Sequence, residues 1–175
     1  MTFDQKIQLW NAIGTWVAGI ATFCAVIVSL HLARRVEKVR LRTRVGIRQM
    51  FQGDGTPGQE LLEFHITNLG DRPVTVVSLG WSIGKGKKRR FRLQTLCGPY
   101  TAQYPKELSY GQNASFHVSF TDAPNWAKDF VSTFVGSGTE SLSTLRAQVH
   151  TSVGPPIDVQ PEDNVFNKLK KARSD

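Results

Sequence analysis

Apolar and polar positions follow different rhythms in successive parts of the chain. From Ile7 to Ala33 the sequence IQLWNAIGTWVAGIATFCAVIVSLHLA holds no Asp, Glu, Lys or Arg, and its most apolar part, Trp10–Leu30, is 21 residues long. A helix rises about 1.5 Å per residue, so about 20 such residues cross the 30 Å hydrocarbon layer of a bilayer. One transmembrane helix is predicted over 7–33, ending near Glu37. A cleavable signal would have a shorter apolar core and a small-residue cleavage site. Here the run leads instead into His31-Leu32-Ala33-Arg34-Arg35.

Beyond the helix the period changes to two. Arg40, Arg42, Arg44 and Arg48 share one parity, while Leu41, Val45, Ile47 and Phe51 share the other; Thr43, Gln49 and Met50 break the alternation. Period two marks a half-buried strand. Residues 52–58, QGDGTPG, are turn-formers and predict a hairpin to the next strand, Glu60–Asn68, with Leu62, Phe64 and Ile66 inward. After the turn LGDRP comes VTVVSLGWSI, Val74–Ile83, then the glycine- and lysine-rich turn Gly84–Lys88 and a short strand in which Phe91 and Leu93 alternate with Arg90 and Arg92. Ala114–Phe120 points Phe116, Val118 and Phe120 inward, and Thr144–Val153 sets Leu145, Ala147 and Val149 on one side.

One helix interrupts the strands: Asp122 is placed to cap it, Pro124 suits a first turn, and Trp126, Phe130 and Phe134 recur every four residues. A last short helix is predicted over Glu162–Lys171, acidic at its start and basic at its end. The organisation read from this is a tail (1–6), a transmembrane helix (7–33), a basic juxtamembrane segment (34–38), a β domain (39–153) and a C-terminal tail (154–175). The fold class is mainly β, an antiparallel sandwich or small barrel behind one N-terminal transmembrane α-helix.

Three phrases sharpen that expectation: FHITNLGDRPVTVVSLGW (Phe64–Trp81), LSYGQNASFHVSF (Leu108–Phe120) and LRAQVHTSVGPPI (Leu145–Ile157). They resemble recurrent pieces of immunoglobulin-like sandwiches in small single-pass bacterial membrane proteins. The resemblance implies an immunoglobulin-like architecture and carries over no catalytic residue.

Charge adds direction. The net charge is +8, and residues 34–48 hold seven basic side chains against the single acid Glu37. Lysine and arginine beside a span stay on the cytoplasmic side. The N-terminus is therefore expected outside, with the β domain in the cytoplasm at the inner (plasma) membrane. The tripeptide Asn113-Ala114-Ser115 matches a glycosylation acceptor but weighs less than the arginines. Cys24 lies in the apolar run and Cys97 far outside it, so no disulfide framework is expected. Gly14, Ala18 and Thr22 recur every four residues in the helix, as do Ala21, Ala25 and Ser29, a spacing that suits self-association into a homo-oligomer.

Catalytic chemistry is not signalled. Gly84-Lys85-Gly86-Lys87 lacks the pattern of a phosphate loop, and acids and a nucleophile at a readable spacing are missing. No enzyme activity and no cofactor is expected. His65, His117 and His150 occupy outward positions on three strands and would gather a metal only if those strands were neighbours. The binding candidates are the basic residues: Arg40, Arg42, Arg44 and Arg48 on the first strand, then Lys85, Lys87, Lys88, Arg90 and Arg92, all suited to anionic lipid or an anionic ligand. Nucleic acid is disfavoured, because only Phe51 and Phe91 supply aromatic rings among them. The leading expectation is a membrane-anchored β domain that binds a protein or small ligand at the inner face. The alternative is an effector that senses an anionic ligand such as a nucleotide and acts through oligomerised spans.

Overall fold

The computed structural model describes residues 3–36, 39–51, 53, 57–136 and 142–174. The chain forms two compact units, Met1–Lys38 and Val39–Asp175. In the first, helix α1 (Phe3–Val36) includes a 23-residue stretch, Trp10–Leu32, long and apolar enough to cross a membrane once. Its polar side chains do not interrupt it, because the hydroxyls of Thr15 and Thr22 donate back to the carbonyls of Asn11 and Ala18, each at 2.9 Å. A hydroxyl satisfied inside its own helix removes most of the cost of carrying it into lipid.

The second unit is mainly antiparallel β structure in two open sheets. The first sheet orders β1 (Leu41–Phe51), β2 (Pro57–Asn68) and β6 (Asn113–Ser119) as β1-β2-β6. The hairpin predicted from the glycine-rich turn joins β1 to β2, although residues 52 and 54–56 lie outside the described residues. Pairing places Val45 opposite Phe64 and Phe64 opposite Phe116, so one parity of all three strands faces the core. A register shift between Gln49 and Phe51 ends the alternation, and Phe51, expected inward, is exposed. The extra residue of this bulge lies in β2, between Pro57 and Glu60. Thr43 keeps the inward parity; its buried hydroxyl has no partner among the described residues.

In the second sheet the path is β4 (Arg90–Leu93), β3 (Val74–Ile83), β7 (Arg146–Thr151) and β8 (Ile157–Val159), with β5 (Lys106–Leu108) paired to the other end of β3. Trp81 on β3 is fully buried between the sheets. Its ring meets Phe64 of the first sheet edge-on at 5.4 Å and Phe130 at 5.2 Å, and its Nε1–H donates to Gln94 Oε1 at 2.7 Å. Phe130 belongs to α2 (Trp126–Phe130), which continues as a π turn over Val131–Val135, so Trp126, Phe130 and Phe134 are all buried as their spacing predicts. The capping expectation is corrected: Asn125, not Asp122, occupies the N-cap, and Asp122 lies in the preceding turn with its N–H donating to Ser119 Oγ.

Segments without strand periodicity close the sheet edges. Cys97 N–H donates to His117 O, Ser119 N–H to Cys97 O and Ala102 N–H to Ser115 O, which covers the outer edge of β6. The segment expected as a C-terminal tail instead completes the domain. Glu162 N–H donates to Val45 O on the β1 edge, and the Asn164 side-chain amide both accepts from Ile47 N–H and donates to Ile47 O at 3.1 Å. Helix α3 (Asp163–Ser174) then buries Val165 and Leu169 completely. Unpaired strand edges invite association, and covering them is a common remedy. Among the described residues, every buried residue of the core lies between Val45 and Leu169, so residues 39–175 possess a core of their own.

Candidate functional site

The outward parity of the first sheet carries its charge. Arg40, Arg42 and Arg44 are exposed, and register places Arg42 opposite Thr67 and Arg44 opposite His65. Arg48 differs from its three companions. Its Nη1 and Nη2 each donate at 2.6 Å to the two oxygens of Glu162, and its Nε stands 3.5 Å from Glu63. The expectation of four solvated arginines is therefore corrected to three, with the fourth committed to a two-pronged ion pair. That pair crosses Gly46, where any Cβ would collide with the Glu162 carboxylate and the Arg48 guanidinium.

Next to this pair lies a polar network centred on Glu63. His117 Nδ1–H donates to Tyr100 O at 2.9 Å, which turns Nε2 toward Glu63 Oε1 at 3.6 Å. His65 Nδ1 bonds Ser115 Oγ at 2.9 Å and lies 3.9 Å from the same carboxylate oxygen. Hydrogen bonding to His117 pulls the Glu63 carboxyl down to about 2 against the opposing effect of burial, with Ser115 and the histidine charges adding to the pull. Arg48 likewise holds Glu162 below its ordinary value, with Arg44 contributing its field. Of the three histidines, two thus share one face and His150 lies on β7 of the other sheet. Among the described residues no group of three or more His, Cys, Asp or Glu is arranged to hold a metal ion.

A carboxyl whose folded value is depressed stabilises the fold above its unfolded value, near pH 4.5, and loses that contribution as pH falls toward 2. Between pH 5 and pH 2 the domain 39–175 should therefore lose about 2 kcal/mol more stability than its Glu63→Gln variant. Urea unfolding at a series of pH values measures the difference. Parallel curves for the two proteins would remove Glu63 from the account.

The remaining basic candidates separate into two groups. On β4 the alternation holds, but the arginine side faces α2: Arg92 donates to Thr133 Oγ1 at 2.5 Å and lies 5.5 Å from the Phe130 ring centre, Arg90 donates to Val135 O at 3.2 Å, and Phe91 and Leu93 are exposed. Lys85, by contrast, lines a cleft of about 370 Å³ at the β3–β4 turn together with Gly84, Gly86, Arg89, Thr144, Arg146 and Asp158. Gly84 and Gly86 have φ of 95° and 56°, a left-handed region in which glycine alone is unstrained. Gly84 N–H donates to Thr144 Oγ1 at 3.0 Å and pins the turn. Lys87 and Lys88 are exposed on the same turn and do not line the cleft.

Long-range pairing builds the far wall of the cleft. Arg89 Nη2 donates to both Asp158 oxygens at 2.5 Å and to Ser82 Oγ at 2.8 Å, and Gln148 Nε2 donates to Asp158 Oδ1 at 2.9 Å. Burial works to raise the Asp158 carboxyl, but these hydrogen bonds and the charges of Arg89 and Arg146 outweigh it and hold it below its ordinary value. Sequence reasoning missed Arg89, Arg146 and Asp158 as site residues, since only the β3-β7-β8 order brings them to Lys85.

In α1, Gly14, Ala18 and Thr22 follow one line and are exposed along the single helix. Compared with known proteins, the chain matches no family model and no curated protein.

Proposed function

We propose that this is a single-span protein of the plasma membrane whose cytoplasmic domain, an immunoglobulin-like sandwich, is a non-enzymatic binding module that engages anionic headgroups through Arg40, Arg42 and Arg44. The exposure of these three side chains, Arg42 and Arg44 on β1 and Arg40 just before it, carries the reading. Strand β1 begins at Leu41, five residues after the last described residue of α1. Each basic residue near an anionic surface contributes on the order of 1 kcal/mol, so three together give a free domain weak, salt-sensitive binding. Covalent attachment to a span makes such weak contacts effective, because the encounter is already intramolecular. The seven-to-one excess of basic over acidic residues in 34–48 supports the cytoplasmic orientation.

The test uses residues 39–175, checked for β structure by circular dichroism, in co-sedimentation with vesicles. Binding is expected to vesicles containing phosphatidylserine and not to neutral ones, and to weaken with salt as screening shortens to a Debye length of about 10 Å at 0.1 M. Replacing Arg40, Arg42 and Arg44 with Gln should reduce binding about 100-fold, while Arg48→Gln should act on stability instead. Equal sedimentation of the wild type and the triple variant would leave the arginines a role in membrane insertion alone.

A further inference from the structure

The cleft at the β3–β4 turn takes no part in that lipid contact, since Arg40, Arg42 and Arg44 do not line it. We propose that it binds the phosphate group of a phosphorylated small molecule between Lys85, Arg89 and Arg146.

Charge balance is the first argument. Three cations stand around the cleft against one acid, Asp158, leaving a surplus of two positive charges for a dianionic phosphate. The acid is already occupied by Arg89 and Gln148, so its repulsion of an incoming anion is largely neutralised.

Geometry is the second. Arg146 is anchored through Nη1 to the carbonyls of Ser143 and Leu145, at 2.9 and 2.7 Å, while its Nε and Nη2 have no protein partner among the described residues. Arg89 is held through a single nitrogen, Nη2, by Ser82 and Asp158. Both guanidinium groups are thus fixed in place with N–H donors in reserve, the planar fork that suits phosphate oxygens. Lys85, whose ammonium group makes no hydrogen bond or ion pair among the described residues, supplies a mobile third charge from a backbone that its two glycine neighbours and Thr144 hold in position. A site assembled before the ligand arrives loses less entropy on binding.

Size and surroundings restrict the ligand. About 370 Å³ falls in the range of small-molecule sites, roughly 300–1,000 Å³. A single-stranded nucleic acid would need open aromatic platforms, whereas the Phe91 ring beside the cleft is faced by the Arg89 guanidinium at 5.2 Å. Recognition therefore rests on the phosphate group.

The test uses the 175-residue chain in neutral phosphatidylcholine nanodiscs, titrated calorimetrically with AMP and with glycerol 3-phosphate. Saturable binding of one ester per chain is expected for at least one of them. Lys85→Gln should weaken it about tenfold, the loss of one charge-assisted contact. The double substitution Lys87→Gln, Lys88→Gln, on the same turn but outside the cleft, should change it less than about twofold. Repeating the titration in discs that contain phosphatidic acid separates two sources of the same chemistry: a lost signal identifies a lipid phosphate as the occupant, a retained one a soluble ester. No saturable binding up to about 10 mM ester in neutral discs would overturn the proposal. So would equal weakening by the two lysine variants, which would reduce the cleft to a diffuse charged patch.

Discussion

Deleting residues 160–175 should abolish the folded state of the β domain. The deletion removes Val165 and Leu169, both fully buried, and each such side chain stabilises by about 1.5–3 kcal/mol. It also strips Glu162 from Arg48 and leaves Val45 O and Ile47 N–H and C=O without their partners on the β1 edge. A combined loss of about 5 kcal/mol or more matches the whole stability of many domains of this size. Size-exclusion chromatography and near-ultraviolet dichroism of 39–159 beside 39–175 decide the matter. A monomeric, cooperatively melting 39–159 would make the C-terminal helix a mere appendage.

Trp81→Ala is the most damaging single substitution expected in the domain. Tryptophan truncated in a core costs about 3–5 kcal/mol, the upper part of that range applying where neighbours cannot collapse into the space. Here they cannot easily do so, because the ring is wedged between Phe64, fixed in the ladder of the opposite sheet, and Phe130, fixed in helix α2. Gln94 Oε1 also loses its closer donor and keeps only Trp126 Nε1 at 3.4 Å. Trp81→Phe, which keeps an aromatic ring but not the donor, should lose about half as much. Urea unfolding of 39–175 and the two variants measures both. A loss below about 1 kcal/mol for the alanine variant would mean that this ring does not join the sheets.

The long strands were legible in the sequence because each carries several periods of alternation. Val74–Ile83 is observed with the bounds its β-branched run predicts, and Phe116 and Val118 are buried as expected. β5 and β8 are only three residues each, too short for periodicity to rise above chance, and their pairing is decided by what lies beside them. On β4 the alternation was readable but its direction was not. Phe130 and Thr133 lie where Arg92 can use them, and a long side chain can present an apolar stem to a covered face while its head finds an aromatic ring and a hydroxyl.

The candidate sites divide along the same line. The arginines of β1 were visible because they are neighbours in sequence. That Arg48 serves structure and its three companions do not depends on Glu162, which lies 114 residues away. The glycine-rich turn stood out by composition, yet Arg89, Arg146 and Asp158 meet Lys85 only through sheet order.

The side-chain amide of Asn164 that stands in for a missing strand beside Ile47 comes 117 residues later in the chain. A ribosome adds roughly 5–20 residues per second, so the edge of the first strand has to wait about 6–23 s for its cover. During that interval the nascent hairpin presents an open edge to water, to chaperones and to neighbouring nascent chains on the same message. Yield in a cell will therefore depend on how quickly the 117 codons from Ile47 to Asn164 are read, a sensitivity that no equilibrium unfolding curve of the finished protein registers.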